Sequence, residues 1–426
     1  MSKFPIPAFT RYQKFIIAVL AFLQFTVILD FMVLSPLSAI LLDELSITTS
    51  QFGLVVSAYA FSAGAAGLLA SGFADKFDRK KLLLFFYTGF IIGTLLCGLA
   101  PNYHMLLIAR IVTGLFGGVL GSVIYAIITD LFPMEKRGRV MGFVQMAFAS
   151  SQILGIPFGL YLATHYGWHS PFLLIVGLGV IVGVLLAVYL KPVDEHLKLQ
   201  TKKNAFVHML DTIKNTRYLR GFSATTLLAT GGFMLMPFGA AFAVNNLGIP
   251  LETLPVVYIA TGCFSIFGGP IAGKLSDKYG KFPIFTLGSL LALTLIVIYC
   301  NLSVTPIWMV IAINSILFLG ITARMVSSQA LLTAIPAPQD RGAFMGINSS
   351  VMQIAGGIAS AIAGLIVTQE PSGFMSNYPT LGYVVAGSIL ITIALMYGIN
   401  RMVAKDTEAP IIPPNPVVRD DVEVVI

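Results

Sequence analysis

Charge is what this chain lacks. Of its 426 residues only 11% are Asp, Glu, Lys or Arg, while 57% are hydrophobic. Soluble domains carry about 25% charged residues. A soluble chain of this length cannot hide so much apolar surface, whereas lipid solvates it. Cysteine is scarce as well. Cys97, Cys263 and Cys300 lie in or at the ends of apolar runs, without metal or redox spacing, and read as small hydrophobes. No G-x-x-x-x-G-K-[ST] loop occurs, which argues against transport driven by ATP hydrolysis in this chain. Neither a nucleophile–base constellation nor a cluster of metal-ligating side chains is visible, so the chain is expected not to be an enzyme and to need no cofactor. Met1–Thr10 is short, holds two prolines and runs straight into an apolar span, so no cleavable leader is expected.

What is present is a series of apolar runs, several longer than the roughly 18 residues that mark a spanning helix. They are continuous, not alternating, which excludes a transmembrane barrel. The expected architecture is an all-α membrane protein of twelve spans, over residues 15–41, 51–74, 82–100, 105–131, 138–163, 170–190, 218–245, 251–273, 282–300, 305–334, 342–368 and 378–402. Twelve spans put both termini on one side. With that side cytoplasmic, the inner segments and the inner ends of the spans hold 24 of the 26 Lys and Arg residues, the other two, Arg110 and Arg324, fall deep within spans, and the outer loops hold none. This follows the positive-inside rule, so the net charge of +7 reflects topology and not a nucleic-acid footprint. The expected organisation is a six-helix half over 1–190, a cytoplasmic linker over 191–217, a second six-helix half over 218–404, and a disordered tail over 405–426 rich in Pro and acids.

The two halves echo each other. SGFADKFDRKK at 71–81 returns as GKLSDKYGKFP at 273–283, with Asp75 on Asp277, Lys76 on Lys278 and Arg79 on Lys281, a shift of 202. After the fourth and tenth spans, Arg137-Gly138 and Met141-Gly142 return as Arg341-Gly342 and Met345-Gly346, a shift of 204. Two echoes at nearly one shift argue for duplication, and parallel six-helix repeats are a known transporter plan with the substrate site at the midplane between them.

On these residues the chain resembles the major facilitator superfamily over about residues 15–402. The family's loop motif after the second helix, G-x-L-a-D-r-x-G-r-k, is similar to Ser71-Gly72-Phe73-Ala74-Asp75-Lys76-Phe77-Asp78-Arg79-Lys80, with Ser71 and Asp78 in place of its glycines. The copy with Gly273, Leu275, Asp277 and Gly280 keeps both. Within the superfamily the chain resembles the drug–proton antiporter branch. LLIARIVTGLFGG places Arg110 and Gly114 as that branch does, with Thr113 where Gln is usual. SSQILGIPFGLYL gives Gly155, Pro157 and Gly159, with the proline displaced from its usual Gly-Pro pairing; these small residues permit close packing and bending. The resemblance implies two six-helix bundles, rocker-switch alternating access, no cofactor beyond the proton gradient, a small-molecule substrate and a monomer among membrane lipids. It also implies that Asp75 meets the N-terminus of the eleventh helix and that Arg79 pairs with Asp130. Together with Asp277 these form a latch that assembles only when the halves close on the cytoplasmic side.

An ionisable residue at bilayer depth costs about 2.5–3.5 kcal/mol on the insertion scale and marks a functional site by default. Asp30 in the first span and Arg110 in the fourth lie at similar depth, given about 1.5 Å per helical residue. Two readings stand for Asp30: it takes up and releases a proton as the cavity alternates, or it sets helix packing through a fixed ion pair or loose backbone near Pro36. Arg110 serves either structure and electrostatics or substrate contact. Arg324 lies too deep in the tenth span to snorkel comfortably. It is expected to face the cavity and meet an anionic or polar substrate group, or else a backbone carbonyl. Tyr59, Gln145, Asn314 and Gln329 are further cavity candidates, each also suited to a helix–helix hydrogen bond. The leading function is proton-coupled efflux of a small amphipathic compound such as a drug or sugar, from a bacterial inner membrane. The alternatives are a proton symporter or facilitator importing a sugar, organic acid or lipid-like solute, and a non-transporting membrane sensor or scaffold.

Overall fold

The computed structural model describes residues 9–71, 73–194, 197, 205–337 and 340–408. Nearly all of it is helix. In the first half these are α1 (Arg11–Val33), α2 (Ser38–Glu44), α3 (Thr49–Ser71), α4 (Arg79–Gly98), α5 (Tyr103–Leu131), α6 (Met134–Ser150), α7 (Ile156–Tyr166) and α8 (Ser170–Tyr189). A linker helix, α9 (Ala205–Lys214), follows. The second half holds α10 (Thr216–Leu235), α11 (Gly239–Asn245), α12 (Leu254–Tyr279), α13 (Lys281–Cys300), α14 (Ile307–Leu332), α15 (Arg341–Ile366) and α16 (Tyr378–Glu408). A hairpin of two short strands, β1 (Thr368–Gln369) and β2 (Met375–Ser376), joins α15 to α16.

Among the described residues eleven helices are long and apolar enough to cross a membrane. The twelfth crossing, expected as one helix over 138–163, is α6 and α7 joined by a π-helical turn, Ser151–Gly155. Its cause is local. Pro157 has no N–H to give and its ring crowds the carbonyl four residues earlier, so the ladder skips a residue ahead of it. The first and seventh spans are also broken, because Pro36 ends α1 and Pro237 ends α10 before α2 and α11 resume. These prolines form a third echo, Phe31–Pro36 against Phe233–Pro237, that the loop motifs did not reveal. At the other end of the chain α16 runs past Ala404 to Glu408. Residues 409–426, most of the expected tail, lie outside the described residues.

All the long loops with Lys and Arg lie at one end of the bundle, the basic end. The halves are sealed together at the opposite end. Ser35 Oγ donates to the carbonyl of Met236, and Ala241 N donates to Ser38 Oγ at 3.3 Å. Phe31 meets Phe233 at 5.7 Å between ring centroids, and Phe52 meets Phe238 at 5.8 Å. Duplicated prolines thus bring duplicated segments into contact with one another, as a pseudo-twofold arrangement requires. The longest contact between halves is α3 on α15. Small residues let these backbones touch: a Cβ on Gly53 would lie 2.8 Å from the Ser360 carbonyl and one on Gly364 2.7 Å from the Thr49 carbonyl. Side-chain hydroxyls reinforce the crossing, Thr49 donating to Val367 O at 2.5 Å and Ser57 to Gly357 O at 2.8 Å. On the other flank the broken α6–α7 span packs on α12. Towards the basic end, by contrast, Gly121 of α5, Gly142 of α6 and Gly346 of α15 look onto open space.

Candidate functional site

Asp30 and Arg110 meet inside the first half. Both are fully buried, and Arg110 Nη1 donates to Asp30 Oδ2 at 2.8 Å. Thr94 of α4 donates to the other carboxylate oxygen at 3.1 Å, so Asp30 is held from two helices. The guanidinium lies over the ring of Tyr59, 4.5 Å from its centroid. Close packing shuts the pair off from the surface. Gly114, one turn from Arg110, sits so tightly against α3 that a Cβ there would fall 2.4 Å from the Tyr59 carbonyl. Arg110 keeps two buried N–H groups, Nε and Nη2, with no acceptor among the described residues. The next residue after Asp30, Phe31, lines a small cleft between the halves with Ser35, Val56, Phe233 and Met236.

The cavity candidates fall in different places. Tyr59 is a core residue of the first half, stacked under Arg110 and beside Phe31. Asn314 turns its amide back to Val310 O of its own helix at 3.0 Å, and Gln329 is exposed. The side chain of Gln145 lies outside the described part of the structure. Arg324 does not line an open passage. It is 6% exposed, against Gly231 of α10. Gly155 and Gly159 admit α1 against the π-turn span: a Cβ on Gly155 would lie 2.6 Å from Leu29 Cδ1 and one on Gly159 2.9 Å from Val33 Cγ2. Pro157 is buried beside them.

Of the expected latch residues, Arg79 and Asp130 do meet. Arg79 Nε binds Asp130 Oδ2 at 3.3 Å, and its Nη1 donates to Ala74 O at 3.2 Å. Both residues of the ion pair belong to the first half, α4 and α5, and they pair while the halves are sealed at the opposite end. The pair joins α4 to α5. The Asp75 side chain lies outside the described part of the structure. Asp277 pairs with Lys281 across the turn at Gly280 and is exposed. Asp78, which departs from the motif's glycine, has a clear task. It caps α4 by accepting from Lys80 N at 2.9 Å and accepts from Val193 N at 3.0 Å, tying the start of the linker to the loop.

Sequence reasoning missed Thr94, and nothing local marks it: one threonine among many becomes a carboxylate partner only when α4 packs on α1. It also missed Thr225, which donates to Asn348 at 2.6 Å to join α10 and α15.

The sequence profile of the Major Facilitator Superfamily matches residues 20–327 and 222–419, which together span most of the chain. The chain belongs to the Major Facilitator Superfamily. Among curated proteins it is similar to the uncharacterized MFS-type transporter YceJ of Bacillus subtilis (strain 168), 24% identical over 375 residues, covering 87% of this chain and 94% of YceJ. It is also similar to Multidrug resistance protein 3 of the same organism, 33% identical over 148 residues, covering 35% of this chain and 29% of that one. Among solved structures, a bacterial homologue of the human lysosomal transporter Spinster, inward-facing and unoccupied, superposes with a TM-score of 0.77 at 16% identity, covering 94% of this chain and 99% of that one. The nucleoside transporter NupG gives 0.73 at 14% identity, covering 91% and 99%. At such identities the structures show the shared fold alone. As a member of this superfamily the chain is a multi-pass membrane transporter of small molecules, it is not an enzyme, and it needs no cofactor.

Proposed function

We propose that this transporter exports a small amphipathic compound in exchange for protons, with the basic end and both termini cytoplasmic, in a bacterial inner membrane. The observation that carries the reading is the fully buried Asp30–Arg110 pair. A carboxylate can be neutralised by a proton, but a guanidinium cannot lose one at any physiological pH. Protonating Asp30 therefore leaves Arg110 with a buried, unbalanced charge, which favours a rearrangement that rehydrates it. Asp30 adjoins Phe31 in the cleft between the halves, so that rearrangement reaches the surface on which they rock. The halves, residues 1–190 and 218–404, are taken as the moving bodies, with α3–α15 and the π-turn span on α12 as their hinges. The partial likeness to Multidrug resistance protein 3 supports export of an amphipath.

Everted membrane vesicles test this. Addition of a transported solute should collapse a preformed inward-acidic proton gradient with wild-type protein and fail to do so with Asp30→Asn. Transport by Asp30→Asn with an unchanged dependence on the gradient would sink the coupling role. Solute entry driven by protons moving in the same direction would replace export with symport.

A further inference from the structure

Arg324 is a cation buried deep within a span, like Arg110, but among the described residues it has no carboxylate partner. Residues 218–404 contain four acidic side chains, Glu252, Asp277, Asp340 and Glu370. All sit at helix ends or in loops. Glu252 and Glu370 belong to the end opposite the basic loops, Asp277 pairs with Lys281, and Asp340 accepts from Tyr218 Oη at 2.7 Å. Among the described residues neither Nε nor Nη2 of Arg324 has an acceptor, although both are buried. These two groups form one edge of the guanidinium, the fork that a carboxylate fills with two parallel hydrogen bonds. The other terminal nitrogen, Nη1, is against α10, where a Cβ on Gly231 would lie 3.3 Å away with Val385 of α16 beside it. An uncompensated guanidinium in apolar surroundings is costly.

We infer that Arg324 is the seat for a carboxylate of the transported compound, which makes the substrate an amphipathic monoanion. One positive charge balances a monoanion, whereas a dianionic phosphate would leave surplus charge in the same apolar layer. The position suits a solute arriving from the basic end. Ser327, one turn towards that end, donates to Ser276 near the end of α12 at 3.3 Å, so Arg324 lies in the half of the bundle nearer that end. The fork is covered in this arrangement, and docking parts α14 from α10. That movement meets little resistance, because α10 packs chiefly on α15 and α16 while α14 packs on α12 and α13. The inference rests on the reading of the chain as an exporter of amphipaths and names the chemical class of what it exports.

The test compares three probes of one shape on the purified full chain: 3-phenylpropionate, 3-phenylpropanol and 3-phenylpropylammonium, with sodium chloride as a fourth. The carboxylate alone should raise the unfolding midpoint saturably. Arg324→Gln should weaken its apparent Kd about tenfold or more, the loss expected for hydrogen bonds to a charged group. Arg324→Lys, which keeps the charge but not the fork, should retain the preference for the carboxylate with intermediate affinity, and serves if Arg324→Gln fails to fold. Equal stabilisation by the alcohol or the amine, or an undiminished shift in Arg324→Gln, would overturn the inference. A chloride effect matching that of the carboxylate would also overturn it, since it would mark an inorganic anion site. Vesicle transport separates the two proposals: gradient collapse by neutral or cationic solutes without a carboxylate preference keeps the coupling and refutes the seat, while carboxylate binding without gradient collapse does the reverse.

Discussion

The two partners of the buried pair differ in one chemical respect, and that difference has a measurable consequence. Asp30→Asn leaves Arg110 charged, desolvated and without its anion. Breaking a buried pair in this way costs about 3–5 kcal/mol, and no pH change relieves it because guanidinium stays protonated. Arg110→Met leaves a carboxylate that can be buried neutral by binding a proton. With an ordinary carboxyl value near 3.9 in the unfolded chain, holding that proton costs about 4 kcal/mol at pH 7 and about 1.5 kcal/mol at pH 5. The sign follows from proton counting: above pH 4 the folded variant binds one proton more than the unfolded chain, so its stability falls by about 1.4 kcal/mol for each pH unit gained. Arg110→Met should therefore recover most of its lost stability on acidification, while Asp30→Asn stays damaged throughout. The protein carries its own reporter, since Cys97 and Cys300 are buried thiols that a fluorogenic maleimide reads on unfolding, once the exposed Cys263 is replaced by Ser. A pH-independent Arg110→Met, or an Asp30→Asn variant that recovers equally on acidification, would refute the asymmetry and with it the premise that Asp30 is the member of the pair that exchanges a proton.

Further outcomes follow from the same packing. Thr94→Val, nearly isosteric, removes a donor to a buried charge and should cost about 1–3 kcal/mol, read as a lower unfolding midpoint; no change would mean that the Thr94 bond adds nothing to the pair. Gly114→Ala forces a methyl against the α3 backbone and should destabilise by about 1–3 kcal/mol, whereas Gly121→Ala, which meets nothing within 4 Å, should be neutral or slightly stabilising; equal effects on the midpoint would show that the α3–α5 crossing yields. Asp78→Ala should cost about 1 kcal/mol as a lost helix cap and speed tryptic cleavage of the linker after Lys198, since Pro192 protects the bond after Lys191; an unchanged cleavage rate would remove the tie to Val193.

Much of this protein was legible in order along the chain. Continuous apolar runs dictate helices because only a helix satisfies its own backbone in lipid. Two loop echoes revealed the duplication, and the isolated acid and bases within spans named Asp30, Arg110 and Arg324 as residues whose burial requires a reason. The echo was strong enough to give the family and, with it, the architecture. Partnership was not legible. That Asp30 meets Arg110 at hydrogen-bonding distance and that Thr94 completes the carboxylate depend on the angles at which helices cross, and those are set by side-chain volumes on facing surfaces, which one-dimensional order does not contain. Arg324 shows the division most sharply. Sequence alone fixes that the acids of the second half, Glu252, Asp277, Asp340 and Glu370, fall at the ends of its spans or between them and none near Arg324 in the tenth, because that is a count. Only the tertiary structure decides that the guanidinium is buried between α14 and α10 with its fork unfilled, because burial depends on which neighbours fold over it.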